Sequence, residues 1–165
     1  MSAWQRVFPA ASAAEMQALG ERLGRIMRVG DVVGLIGPLG AGKTTFAQGI
    51  ARGLEVPADR HVASPTFALV NQHPGRVPFV HADLYRINHP AEIAELGLSE
   101  AYDYSAAAIE WLDRFPTVAP ADRLEIEISP TFDEGGGGTG MRRIAMRATG
   151  PRSEALADQL APLVA

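Results

Sequence analysis

The sequence predicts an α/β fold, a mostly parallel sheet flanked by helices, with an antiparallel hairpin towards the C-terminus. Three observations carry that prediction. Asp31–Ile36 is a short apolar run of the kind found in strands buried on both faces, and after a glycine-rich loop Phe46, Ile50 and Leu54 recur at helical spacing. A second short apolar run, Ala106-Ala107-Ala108-Ile109-Glu110, ends in an acid. Finally, Leu124-Glu125-Ile126-Glu127-Ile128 alternates cleanly, and Ile144 and Met146 alternate with Arg143 and Arg147, as two strands with one solvated face require.

Taken in order, Ser12-Ala13-Ala14-Glu15 reads as a capping box, and Met16, Leu19, Leu23, Ile26 and Met27 share one face, which predicts a helix over 12–28 that Gly30 ends. The strand–loop–helix unit of 31–56 follows. Phe67–Val70 and Val77–Ala82 read as strands around a turn at 71–76, with Pro78 marking a strand start or sheet edge. Residues 90–103 read as helix. The 106–110 run reads as a buried strand although alanine favours helices. In the predicted hairpin, Glu125 and Glu127 are expected to pair with the arginines across from them. Its join, SPTFDEGGGGTG, contains Asp133-Glu134-Gly135-Gly136, a formal D-x-x-G match. Four consecutive glycines mark a flexible hairpin loop more simply, and no N-K-x-D guanine motif accompanies them. From Ser153, Leu156, Leu160 and Val164 predict a short packing helix interrupted by Pro162.

With 165 residues and 47% hydrophobic content, residues 1–165 are expected to form a single domain. Fifteen Lys plus Arg against 19 Asp plus Glu give a net charge of −4, with the arginines scattered. Phosphate neutralisation dominates nucleic-acid affinity, so a strong unaided grip on RNA or DNA is not expected, and a partner would hold any RNA involved. The absence of cysteine excludes disulfides, thiol nucleophiles and thiolate metal sites. No apolar run is long enough for a membrane span, and Arg6, Pro9 and Glu15 interrupt any signal-peptide pattern, so the expected compartment is the cytoplasm.

Gly37-Pro38-Leu39-Gly40-Ala41-Gly42-Lys43-Thr44 matches G-x-x-x-x-G-K-[ST] at every required position, in the required strand-to-helix context, with Thr45 following. A polyphosphate must be surrounded by backbone N–H groups, and glycine lets the chain wrap that closely. The helix N-terminus offers further donors and a positive dipole end, while Lys43 supplies charge and the Thr44 hydroxyl a Mg²⁺ ligand. The sequence therefore predicts a P-loop NTPase-like fold. Phosphoryl transfer also needs a metal-side carboxylate and a group to orient the nucleophile. Glu110 and Asp83 each close a predicted strand and so fall at the same sheet edge as the loop; a helix cap or surface charge is the plainer alternative for either. Thr66, in Ser64-Pro65-Thr66-Phe67, sits where a switch segment could reach a γ-phosphate, or else in an extended entry to a strand. His61, His73, His81 and His89 lack metal-ligand spacing and read as surface or structural residues.

The series GPLGAGKTT, VASPTFALV, HADLYR, ELGLSE and IEW, in this order and at these separations, resembles the TsaE (YjeE) family over about residues 10–150. The resemblance implies an ATPase, using ATP and Mg²⁺, that supports N6-threonylcarbamoyladenosine modification of tRNA together with TsaD and TsaB, with tRNA reached only through that complex. By the same resemblance Thr44 and Glu110 hold Mg²⁺, Lys43 binds phosphates, Thr66 belongs to a switch-like segment, Asp83 orients or polarises the attacking water, and Trp111 lies beside the nucleotide. Pro38 departs from the acidic residue often found after the first glycine. Only Arg60, Arg86 and Arg114 are expected near the site. A P-loop without an arginine finger hydrolyses slowly, and supplying that charge is worth roughly 10³–10⁵ in rate, so weak activity alone and stimulation by partners are expected. The isolated chain is expected to be a monomer. The alternatives are a small-molecule P-loop kinase and a non-hydrolysing, nucleotide-dependent regulatory module.

Overall fold

A computed structural model describes residues 4–63 and 69–164. The sheet has seven strands, β1 (Gln5–Ala10), β2 (Val32–Ile36), β3 (Val70–His73), β4 (Phe79–Asp83), β5 (Ala106–Glu110), β6 (Leu124–Phe132) and β7 (Gly138–Ala148), in the order β1-β7-β6-β2-β5-β4-β3. The central four, β6-β2-β5-β4, run parallel, and antiparallel partners close both sides. Because parallel strands are covered on both faces, β2, β4 and β5 carry apolar runs rather than alternation. Val33 and Leu35 enter one core with Leu23, Phe46, Ile50, Ile126 and Ile144, whereas Val32 joins Val80, Ile109 and Leu112 in the other.

Helices α1 (Ala13–Ile26), α2 (Lys43–Gly53) and α5 (Pro151–Leu160) contribute to the first core. Half of the predicted capping box at α1 forms as expected, with Ser12 Oγ accepting from Glu15 N at 3.2 Å; the Glu15 carboxylate reaches back one residue further than the box requires and accepts from Ala11 N instead of Ser12 N. The α1 and α2 backbones meet through glycine. A Cβ placed on Gly24 would lie 2.2 Å from Ile50 O, and one on Gly53 would lie 2.2 Å from Glu21 O. Asp122 caps α5 from outside the helix, accepting from Arg152 N at 2.8 Å and Ser153 N at 2.9 Å.

Three expectations change. The predicted helix over 90–103 is two short pieces, α3 (Pro90–Ala94) and α4 (Leu98–Ala101), because Gly97 takes a left-handed conformation, φ 67°, between them. The strand before the 74–78 turn is Val70–His73, so residues 71–73 extend instead of turning; half of the predicted Phe67–Val70 strand, residues 67 and 68, lies outside the described residues. The glycine run falls at the tip of the β6–β7 hairpin as expected, where Gly137 N donates to Asp133 Oδ1 at 2.8 Å and Asp133 N to Gly137 O at 2.9 Å. Across the hairpin Glu125 faces and binds Arg147 as expected, but Glu127 faces Ala145. Strand β1, paired with β7, is absent from the sequence reading. Among the described residues, no helix is long and apolar enough to cross a membrane.

Candidate functional site

The carboxyl ends of β2, β4 and β5 lie side by side: Leu35 is in register with Glu110, and Glu110 with Asp83. In an open α/β sheet this edge is where ligands bind. From β2 the chain enters Gly37–Gly42 and then α2, whose first backbone bond runs from Phe46 N to Gly42 O at 2.9 Å. The N–H groups of Lys43, Thr44 and Thr45, in the first turn of α2, therefore have no intrahelical acceptor and are available to an anion. Gly37 has φ 155°, and a Cβ there would strike Ile128 O at 2.3 Å, so the loop closes against β6 only without a side chain. Gly40, at φ 78°, faces open space.

The buried Lys43 ammonium donates to Gly37 O at 2.7 Å and Pro38 O at 2.8 Å, and sits 4.1 Å above the Trp111 ring. Burial lowers its pKa from the ordinary 10.5, against the opposing fields of Glu110, Asp83 and Asp113. Thr44 Oγ1 donates to the Glu110 carboxylate, 3.0 Å from Oε1 and 3.1 Å from Oε2. Asp83 Oδ1 accepts from Tyr85 N at 2.9 Å. Trp111 itself has φ 62°, a strained value for a bulky residue, and meets the Tyr85 ring at 4.9 Å between centroids.

These groups surround a cleft of about 450 Å³, lined by Leu39, Gly40, Gly42, Lys43, Thr44, Thr45, Asp83, Glu110 and Trp111 among others. Gly37, Pro38 and Ala41 stand behind it; the first two hold Lys43 through their carbonyls. Thr66 lies outside the described residues. Of the expected arginines, Arg86 lines the cleft. Arg114 is engaged with the carbonyls of Tyr85 and Ile87, and Arg60 with Gln72 O. Sequence reasoning missed Arg142, distant in the chain, whose Nε donates to Ala41 O at 3.0 Å and ties β7 to the loop. His81 is buried, as the structural reading of it allows, but its pairing with Glu110 was not foreseen; only the acid at the end of the neighbouring strand hinted at it.

Among the described residues, no group of three or more His, Asp or Glu side chains is placed to hold a metal ion. One carboxylate and one hydroxyl instead fit Mg²⁺, which keeps waters and commonly arrives with substrate phosphates. The side-chain-free closure at Gly37, the α2 amides without an intrahelical acceptor and this sparse donor pair together fit a magnesium polyphosphate.

The family model of "Threonylcarbamoyl adenosine biosynthesis protein TsaE" matches residues 10–136. This chain belongs to the TsaE family. The tRNA threonylcarbamoyladenosine biosynthesis protein TsaE of Bacillus subtilis is 35% identical over 159 residues, covering 95% of this chain and 92% of that protein. The protein of the same name from Streptomyces coelicolor is 38% identical over 117 residues, covering 68% and 78%. The crystal structure of Bacillus subtilis YdiB superposes with a TM-score of 0.82 at 29% identity, covering 99% of this chain and 98% of the other. The P-loop NTPase-like α/β fold of a TsaE-family protein is thus shared along nearly the whole chain.

Proposed function

We propose that this TsaE-family chain is an ATPase that supports N6-threonylcarbamoyladenosine modification of tRNA through a nucleotide-dependent interaction with TsaD–TsaB. The observation that carries the reading is the joining of Thr44 to Glu110, with Lys43 beside them over the same cleft. A hydroxyl on the phosphate-loop helix and an acid at the end of the adjacent strand are the donor pair that P-loop hydrolases use for their divalent ion. TsaE-named relatives supply the tRNA-modification context. In this reading the protein acts in the cytoplasm as a single domain and is a monomer when isolated.

ATP is the substrate, and its phosphates are gripped by the α2 amides and the Lys43 ammonium. Thr44 and Glu110 hold Mg²⁺, which neutralises phosphate charge when bound. Asp83 is the group that orients water for attack, since it closes the strand beside Glu110 and lines the cleft. Trp111 covers the Lys43 side of the site. Hydrolysis transfers the terminal phosphoryl group to water and leaves ADP. Without a charge supplied from outside, turnover is slow; TsaD–TsaB raises it.

The test is phosphate release from ATP by the chain alone and with TsaD–TsaB, for wild type and Glu110→Ala. Slow release alone, acceleration by the complex and collapse in the variant, with nucleotide binding partly kept, are expected. Unchanged turnover in Glu110→Ala would refute the reading and favour a binding module. Appearance of the γ-phosphate on a small metabolite would instead indicate a kinase.

A further inference from the structure

Glu110 is held from a second side by a residue that does not line the cleft. His81 is the middle residue of β4, one strand away, and its side chain is fully buried. Its Nε2 lies 2.5 Å from Glu110 Oε2. A carboxylate can only accept, so Nε2 carries the proton and donates. Nδ1 has no hydrogen-bond partner among the described residues, which this tautomer tolerates better because it leaves a lone pair there instead of a buried N–H. The ring stacks on Phe79, with centroids 6.1 Å apart and planes at 11°. An imidazole in a strand otherwise built of Phe, Val, Ala and a terminal Asp costs free energy unless it has a polar partner, and Glu110 is that partner.

The terminal torsion of a glutamate is soft, so one contact from Thr44 does not fix the plane of the carboxylate. Two donors on different elements, α2 and β4, do. We propose that His81 is a positioning residue for Glu110, setting the carboxylate so that Mg²⁺ and nucleotide bind as a unit, although His81 touches neither. This rests on the reading of Thr44 and Glu110 as the pair that holds the metal. Ligating carboxylates are themselves oriented by hydrogen bonds, and loss of such a partner typically costs about 10–100-fold in metal affinity.

The experiment is calorimetric titration of the chain with a non-hydrolysable ATP analogue, once in Mg²⁺ and once in EDTA. The ratio of the two Kd values reports the metal coupling. His81→Phe keeps the ring and its stack on Phe79 but removes the donor. It should lower the coupling about tenfold or more while leaving affinity in EDTA within about twofold. His81→Gln, whose amide nitrogen reaches the position of Nε2, should restore most of the coupling. His81→Asn, whose amide stops near Nδ1, should not. If circular dichroism finds His81→Phe unfolded, the Gln and Asn pair decides.

Coupling equal to wild type in His81→Phe, or equal in the Gln and Asn variants, would overturn the proposal. So would a loss of affinity that is the same with and without Mg²⁺, because that marks a purely structural residue. A wild-type protein with no metal coupling would overturn the Thr44–Glu110 reading itself, and the inference with it.

Discussion

Replacing Gly24 with alanine sets two known effects against each other. In a helix interior alanine is favoured over glycine by about 1 kcal/mol, so propensity alone predicts a more stable protein. The added methyl, however, would lie 2.2 Å from Ile50 O, where ordinary contact begins at 3.4 Å. The obstacle is backbone and cannot rotate aside, so α1 and α2 must part by about an ångström. Overpacking of this kind costs about 1–3 kcal/mol, and a rigid neighbour puts the cost near the top of that range. The net effect is a loss of about 2 kcal/mol, or roughly 4–8 °C in Tm for a chain of this size. Gly53→Ala should behave alike, since its Cβ would meet Glu21 O at 2.2 Å and Gly24 Cα at 2.7 Å. Once either substitution has separated the helices the second meets less resistance, so the double variant should lose less than the two single losses combined. Urea denaturation of the three variants measures this. Stability unchanged or raised in Gly24→Ala, or strict additivity in the pair, would refute the reasoning.

Other outcomes follow from the same contacts. Arg142→Ala removes the bond to Ala41 O and should weaken nucleotide binding by about fivefold, roughly 1 kcal/mol for one hydrogen bond, as read by equilibrium titration. Burial, assisted by Arg60 and His81, holds the His73 pKa below its ordinary 6.5. The unfolded chain therefore takes up this proton first, so the contribution is full above about pH 6.5 and lost as pH falls below it; His73→Leu should flatten stability against pH in that window. Burial raises the pKa of Asp122, but hydrogen bonds from Ser153 and Arg152 outweigh it and hold the carboxyl below its ordinary 3.8. Asp122→Ala should cost about 1–2 kcal/mol by uncapping α5, measured by thermal melting at neutral pH.

Local signals were legible where one short stretch holds all the causes. Ser12 and Glu15 cap α1 three residues apart, and the whole phosphate loop lies between Gly37 and Thr44, so both read directly from the chain. Glu110 and Asp83 could be placed at one edge because each ends an apolar run, and parallel pairing brings them into register. The break at Gly97 was available in principle, since glycine supplies the left-handed residue between two helical pieces, but the flanking residues favour helix and mask it. Strand β1 was illegible: Gln5–Ala10 has exposed Val7 and an interior Pro9, acceptable only at an edge, and its pairing depends on residues far along the chain. The contacts of Arg142 and His81 were missed for the same reason. Each acts on an element distant in sequence, Ala41 and Glu110 respectively, and no periodicity announces a single cross-strand contact.

The placement of β1 bears on how the polypeptide reaches its native state. Gln5 pairs with Arg147, so the strand must wait for a neighbour made most of the chain's length later. Until β7 is laid beside β6, the opening segment has no ladder to join, and the half-built sheet shows raw amide edges. Contacts between distant residues form slowly and leave such edges open to other chains. Assembly therefore finishes where translation of these strands began, and shortening the opening segment should slow the last folding phase more than it disturbs the centre of the sheet.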